Sequence, residues 1–144
     1  MIDTLYLIAN IAGTRVAFRS CAIESVVIVR NVSPVPCAPT HMAGLFALRS
    51  RVMSLIDTRV AIGFESAGRA EGEKAIVVDV DGHFYGLLVD GIEDACFVSE
   101  AEMPIQGRLA DGWHDVATAM IEHDGATLLV IDAAQLVTPR QKAA

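Results

Sequence analysis

Short apolar runs separated by turn residues recur along the chain, and this pattern predicts a fold made mainly of β-strands. Residues 5–11 and 15–18 flank a turn at 12–14, which predicts two paired strands. A further strand is predicted at residues 51–57. Many short strands with turn signals between them are typical of small barrels or sandwiches.

Two Asp-Gly dipeptides predict two more hairpins. Asp-Gly between apolar runs is a strong hairpin signal, because a type I′ turn needs positive φ at both central residues. The four residues concerned are therefore predicted to be structural turn residues. The predicted hairpins are residues 75–80 and 84–89 around Asp81-Gly82, and residues 119–123 and 127–131 around Asp124-Gly125.

Helical signals are few. Ser20 with Glu24 four residues later is one residue off a capping box, and it predicts a short helix over residues 20–26. Residues 133–137 predict a short terminal helix that Pro139 ends.

Three stretches are predicted to be loops. Residues 31–39 contain three of the five prolines, which favours an extended, irregular path. Residues 65–74 are rich in glycine, alanine and charge, and residues 99–113 are largely polar. We therefore expect one domain, residues 1–144, with lobes that meet between about residues 65 and 74 and exchange chain segments.

A weak internal similarity supports two related lobes. Residues 13–18 align with 82–87, and residues 23–26 align with 92–95, both at an offset of 69 residues. Residues 55–57 align with 130–132 at an offset of 75 residues. Two β lobes of common design would give this pattern. The alternative is chance similarity between apolar strands.

Composition narrows the class of protein. The 144 residues are 53% hydrophobic and 20% charged, with 11 Lys and Arg against 18 Asp and Glu. The apolar fraction excludes disorder as the main state, and the charge of −7 is unlike a nucleic-acid-binding surface. No apolar run approaches the ~18 residues of a membrane-spanning helix, and no signal peptide is visible. We expect a soluble cytoplasmic domain without membrane insertion.

The cysteines and the search for catalytic motifs give no sign of an enzymatic or metal-binding function. Cys21, Cys37 and Cys96 are odd in number and widely spaced, which predicts free thiols in a reducing compartment. No phosphate-binding loop, nucleophile elbow or paired-histidine metal motif is present. The sequence thus predicts no enzyme, no metal and no cofactor. The alternative is a small enzyme or ligand-binding barrel that uses the histidines with Asp79, Asp81 and Asp90.

Four blocks in order resemble the CheW-like domain of bacterial chemotaxis coupling proteins. The resemblance extends over about residues 4–138. Residues 23–27 resemble the family's IxxVxEV segment, 35–39 its PVPxAP loop, 44–59 its GvxnLRGxvxPviDLR signature and 86–92 its GlxVDxV block.

The signature departs from the family pattern at four positions. Arg49 is kept, but the flanking Asn and Gly, the strand proline and the last Leu are replaced. These departures bear on partner contacts rather than on the fold. The replacing residues are Ala47, Ser50, Ser54 and Thr58.

The resemblance implies an all-β fold of two small five-stranded SH3-like barrels packed side by side, with short helices. It also implies a non-enzymatic scaffold that couples transmembrane chemoreceptors to a cytoplasmic histidine kinase. The altered signature leaves two alternatives open: a divergent regulator of a non-flagellar chemosensory pathway, or a decoy that occupies array sites without activating the kinase.

Two binding surfaces are implied by the same resemblance. The receptor's cytoplasmic tip would lie in a groove between the barrels, against Ile23, Val26, Val27 and Arg49. The regulatory domain of the kinase would contact the other lobe at Val89, Asp90, Gly91 and Ile92.

Other roles for these residues remain open at this point. Arg49 would otherwise pair with Asp57 or cap a loop carbonyl. Ile23 and Val26 would otherwise form the core stripe of a short helix, and a buried strand is the default for Val27 and Ile28.

The residues that end strands also have structural alternatives. Asp57 and Asp90 each end an apolar strand and would cap loops, and Gly44 and Gly91 would serve backbone conformation. Trp113 would cover the second barrel or else anchor a partner.

Overall fold

The computed structural model describes residues 4–66, 68, 70–99, 101–105, 107–109 and 112–138, and these residues form ten strands and three short helices. The strands are β1 (Thr4–Ile11), β2 (Thr14–Arg19), β3 (Ile23–Ile28), β4 (Met42–Leu48), β5 (Arg51–Asp57), β6 (Lys74–Val80), β7 (His83–Val89), β8 (Gly91–Val98), β9 (Ala117–His123) and β10 (Ala126–Ile131). The helices are α1 (Thr58–Ala61), α2 (Trp113–Val116) and α3 (Ala133–Val137).

The strands form two five-stranded sheets. Barrel A has the order β8-β1-β2-β10-β9, and barrel B has the order β3-β6-β7-β5-β4. Neighbouring strands are antiparallel except at β2–β10 and β5–β7. Each sheet combines three strands from one half of the chain with a hairpin from the other half.

Each sheet closes on itself through the segment that follows its edge strand. Ser33, after β3, pairs with Leu45 of β4, and Met103, after β8, pairs with Met120 of β9. Gly44 makes the first closure sterically feasible, because a Cβ there would lie 2.6 Å from the Ser33 carbonyl oxygen. The two small five-stranded β-barrels predicted for the fold are confirmed.

The two halves of the chain repeat one design. Strands β1–β5 correspond in order to β6–β10. When each strand is replaced by its counterpart from the other half, the strand order of one sheet becomes that of the other. In each half an aspartate ends the last strand and caps a helix: Asp57 Oδ1 accepts from Arg59 N at 3.1 Å, and Asp132 Oδ1 accepts from Ala134 N at 3.0 Å. The internal similarity is therefore a structural repeat and not chance.

Three apolar cores hold the molecule together. Tyr6 and Ile121 lie inside barrel A, and Phe46 and Leu55 lie inside barrel B. The third core is the seam where the outer faces of the two sheets meet, and it includes Phe18, Ile76, Val78, Leu87, Trp113 and Leu136. Trp113 is thus part of the seam and does not cover the second barrel.

The two Asp-Gly hairpins are confirmed. Asp81 and Asp124 have φ values of 52° and 49°, and the glycines that follow have 82° and 77°. Asp79 Oδ1 accepts a hydrogen bond from Gly82 N at 3.0 Å. This aspartate therefore stabilises the turn.

The predicted helix over residues 20–26 is wrong. Only Ser20–Ala22 forms a 3-10 turn, and Ile23–Ile28 is strand β3. The reason is the two-residue alternation of half-buried and exposed side chains along β3, together with its pairing to β6. The helix at Ala133–Val137 is confirmed, and Pro139 lies outside the described residues.

A fourth hairpin turn, between β4 and β5, lacks the usual glycine. Arg49 and Ser50 have φ values of 51° and 67°, so Ser50 occupies the left-handed conformation that glycine holds in the three other hairpin turns. A side chain in that conformation costs roughly 1–2 kcal/mol.

Replacing Ser50 by glycine is expected to raise the free energy of unfolding by about 1 kcal/mol, since it removes this backbone strain. Urea unfolding followed by circular dichroism measures the change. The control is Ala47→Gly on the same hairpin, which is expected to lower stability by roughly 0.5–1 kcal/mol. A Ser50→Gly protein no more stable than the parent would contradict the assignment of strain.

Candidate protein-binding surfaces

Large apolar side chains are exposed on the edge strands of both barrels. Among the described residues, Val26 and Ile28 of β3 are 44% and 54% exposed, and Phe97 of β8 is 67% exposed. Both strands stand at the end of their sheet order. An edge strand that presents apolar side chains to water is a candidate site for a protein partner.

The alternation along β3 decides which of its residues face outward. Val26 and Ile28 point to solvent, whereas Ile23 packs against the seam core and Val27 against the interior of barrel B. Of the three apolar residues predicted for a receptor groove, only Val26 is therefore well exposed. The prediction that Ile28 lies in a buried strand is wrong, because β3 is an edge strand with one solvent-facing side.

Phe97 is the counterpart of Ile28 in the repeat. The two residues stand at the same place on β8 and β3, with the 69-residue offset of the internal similarity. Phe97 was not predicted from the sequence, although the alignment of residues 23–26 with 92–95, extended by two residues, pairs it with Ile28.

The surface predicted at residues 89–92 is not assembled as expected. Val89 is 3% exposed and belongs to the seam core, so its side chain is unavailable to a kinase. Its place follows from the register of β7, whose alternate residues face barrel A. Gly91 is half-buried, and Ile92 packs against the same core.

Asp90 joins the two barrels. Its Oδ2 accepts from Ala12 N of the β1–β2 turn at 2.7 Å and from Arg59 Nη1 of α1 at 2.9 Å. The first contact reaches barrel A, and the second reaches the helix that follows barrel B. The carboxylate is therefore part of the connection between the barrels. Its bond from Ala12 N in the β1–β2 turn agrees with the alternative that Asp90 caps a loop.

Arg49 lies at the exposed tip of the β4–β5 hairpin. It does not pair with Asp57, which is 5% exposed and caps α1. Instead Arg49 lines a cleft of about 290 Å³ at the end of barrel B. The structure places it near the start of β3, where Glu24 and Ser25 line the cleft with it, and not in a groove with Ile23, Val26 and Val27. The cleft is lined by Glu24, Ser25, Leu48, Arg49, Arg51, Met53, Val77 and Phe84.

A polar cluster fixes the loop that closes barrel A. Glu102 Oε2 accepts from Tyr6 Oη at 2.6 Å and from Arg19 Nε at 2.7 Å, and its Oε1 accepts from Arg19 Nη2. The hydrogen bonds from Arg19 hold the pKa of Glu102 below its usual range. Burial, together with the bond to Glu102, raises the pKa of Tyr6 to about 12. The cluster secures the loop next to Met103.

Replacing Glu102 by glutamine is expected to lower the free energy of unfolding by about 1–2 kcal/mol at pH 7, because three charge-assisted hydrogen bonds are weakened or lost. The folded-state pKa lies below the ordinary value of 4.5. The contribution of ionised Glu102 to the free energy of unfolding is thus fully present above pH 4.5. It is lost as the pH falls through the lower folded-state pKa. Urea unfolding at several pH values should show the difference shrink in acid.

Glu122→Gln is the control for this prediction, since Glu122 is exposed and forms no ion pair among the described residues. Its effect should be small at every pH. A Glu102→Gln effect that stays constant down to strongly acid pH would contradict the ion-pair account.

The described part of the chain contains no group of three His, Cys, Asp or Glu residues placed to hold a metal ion. Asp79 and Asp90 instead accept hydrogen bonds from backbone N–H groups of turns. No helix among the described residues is both long and apolar enough to cross a membrane.

Comparisons with known proteins agree with the resemblance in the sequence. A family model described as the CheW-like domain matches residues 5–141. A chemotaxis protein CheW of Treponema pallidum is 22% identical over 124 residues, which covers 83% of this chain and 73% of the relative. One of Rhizobium meliloti is 26% identical over 101 residues, which covers 69% of this chain and 65% of the relative.

The fold has a close counterpart among solved structures. The scaffolding protein TtCheW from Thermoanaerobacter tengcongensis superposes with a TM-score of 0.85 at 18% identity, over 98% of this chain and 97% of that chain. Because the family model covers nearly the whole chain, this chain belongs to the CheW-like domain family, and it shares the two-barrel fold of the solved structure.

Proposed function

We propose that this chain is a non-enzymatic adaptor that couples transmembrane chemoreceptors to a cytoplasmic histidine kinase. Membership of the CheW-like family supports the proposal, as does the fold shared with a scaffolding protein. The observation that carries it is the exposure of apolar side chains on two edge strands, one in each barrel.

Two separate apolar surfaces suit a protein that holds two partners. Ile28 on barrel B and Phe97 on barrel A leave much of their apolar area in water. Burial of such a side chain in an interface contributes roughly 1.5–3 kcal/mol. A rigid seam between the barrels would hold the two surfaces in fixed relation, so binding at one surface would position the partner at the other.

The remaining features fit the same role. The three cores account for most of the apolar residues, and the net charge of −7 helps to keep a molecule with exposed apolar patches in solution. We propose that it works in the cytoplasm, next to receptor tips, without nucleic acid, cofactor or membrane insertion.

The test is kinase activity in a reconstituted mixture of receptor-bearing vesicles, histidine kinase and this chain. Autophosphorylation is expected to rise with the concentration of the chain and then to saturate. A decoy would instead lower the activity that an authentic coupling protein supports. Unchanged activity, or a decrease, would contradict the coupling role.

Variants of the edge strands assign the surfaces. Ile28→Asp and Phe97→Asp are each expected to weaken one of the two partner interactions by more than tenfold, because a buried anchor is replaced by a charge. The control is Thr127→Asp, an exposed position of β10 away from both edge strands. Equal effects of all three variants would contradict the assignment.

A further inference from the structure

The cleft at the end of barrel B combines an apolar floor with a basic rim. Its apolar lining consists of Leu48 and Phe84, which are half-buried, above Met53 and Val77, which are 5% and 1% exposed. Arg49 and Arg51 stand on its rim at the two ends of the β4–β5 turn. An apolar depression with cationic groups beside it can take an apolar side chain and a carboxylate together.

Arg51 is held in place by an aromatic ring. Its guanidinium carbon lies 4.5 Å from the centroid of Phe84, within the range of a cation–π contact. Such stacking leaves the N–H groups at the edge of the guanidinium plane free to donate. The side chain is therefore ordered before any partner arrives, which lowers the entropy lost on binding.

The two arginines on this rim are not neutralised by ion pairs. The chain carries seven more acidic than basic residues, and Arg15, Arg19 and Arg59 are all in ion pairs. Within the described part of the chain Arg49 and Arg51 have no ion-pair partner, although Glu24 lines the same cleft. Two neighbouring arginines that share a cleft with a single carboxylate, and form no ion pair with it, are complementary to an acidic group from outside.

We propose that this cleft docks a partner protein through one apolar side chain and the carboxylate next to it, with Arg51 as the residue that selects the carboxylate. The apolar side chain would pack against Leu48 and Phe84, above Met53 and Val77, and the carboxylate would accept hydrogen bonds from Arg49 and Arg51. A volume of about 290 Å³ is at the lower limit of small-molecule pockets and suits a single side chain. The inference rests on the proposed adaptor function only in requiring a protein partner.

The test uses two small probes followed by changes in amide chemical shifts of the ¹⁵N-labelled protein. N-acetyl-leucyl-glutamate amide presents the apolar side chain with a carboxylate, and N-acetyl-leucyl-glutamine amide is its uncharged match. Both are expected to shift residues 24–25, 48–53 and 84, with the glutamate probe binding about fivefold more tightly. Equal affinity of the two probes, or shifts located elsewhere, would overturn the proposal.

Two variants separate the charge from the cavity. Arg51→Gln is expected to reduce the affinity for the glutamate probe to about that for the glutamine probe, while Arg108→Gln, at an exposed arginine of another loop, leaves it unchanged. Ser25→Leu would fill the cleft and is expected to abolish binding of both probes. Undiminished binding to Ser25→Leu, or to Arg51→Gln, would refute the pocket.

The outcome is separable from that of the proposed function. If the chain raises kinase activity but binds neither probe, the cleft inference fails and the adaptor function stands. If both probes bind as expected but kinase activity is unaffected, the cleft remains a docking pocket and the coupling role fails.

Discussion

Replacing Gly112 by alanine is expected to lower the free energy of unfolding by at least about 3 kcal/mol, because the added methyl group has no space. A Cβ at this position would lie 1.6 Å from the carbonyl oxygen of Ile62 and 2.4 Å from its carbonyl carbon. Gly112 precedes α2, and Ile62 ends α1. The obstacle is backbone, so the contact can be relieved only if the two helices move apart at the seam.

The backbone conformation of Gly112 is ordinary, with φ of −57° and ψ of −36°, so the effect would be steric. Thermal and urea unfolding measure it. The control is Gly91→Ala, where the nearest atom to a new Cβ is Asn10 Nδ2 at 3.7 Å, and a change within about 0.5 kcal/mol is expected. Similar stabilities for both variants would show that α1 and α2 do not meet as described.

Replacing Phe18 by alanine is expected to lower the free energy of unfolding by about 3–5 kcal/mol. Phe18 is 1% exposed and extends from β2 of barrel A into the seam. There it joins residues of barrel B such as Ile76 and Leu87. The substitution would leave a cavity between two sheets that cannot close it without sliding past each other.

A shared seam also predicts how the protein unfolds. Both barrels should unfold in one transition, in the parent and in Phe18→Ala, because each sheet contains strands from both halves of the chain. Phe97→Ala, the same change at an exposed position, should alter stability by about 0.5 kcal/mol or less. Two separate transitions, or equal losses for the two variants, would contradict a seam that unites the barrels.

The sequence predicted the central strands better than the edges. The Asp-Gly turns located β6, β7, β9 and β10, since the chemistry of such turns is local. Strands β3, β4 and β8 were missed, and all three lie at sheet edges. The patterns of β3 and β8 are weaker because one side faces water: β8 contains the charged pair Glu93-Asp94, and β3 follows a sequence that mimics a helix cap. Strand β4 is apolar throughout, but its turn to β5 lacks the glycine that would mark a hairpin.

The candidate surfaces were predicted only in part, for a similar reason. Arg49 lines a cleft with Glu24 and Ser25 and not with Ile23, Val26 and Val27, with which it was predicted to form the receptor groove. The hydrogen bonds that Tyr6 and Arg19 donate to Glu102 join residues 83 or more positions apart, and the packing of Val89 into the seam joins residues of different sheets. Such contacts depend on how the strands are exchanged between barrels, which no local pattern reveals.

Co-sedimentation with chemoreceptor vesicles tests the adaptor role most directly. Histidine kinase is mixed with vesicles that carry a chemoreceptor, in the absence and in the presence of this chain, and the kinase recovered in the pellet is measured. We expect recovery to increase with the concentration of the chain and to saturate, and Ile28→Asp and Phe97→Asp to prevent the increase. Kinase recovery that is the same with and without the chain would contradict the account.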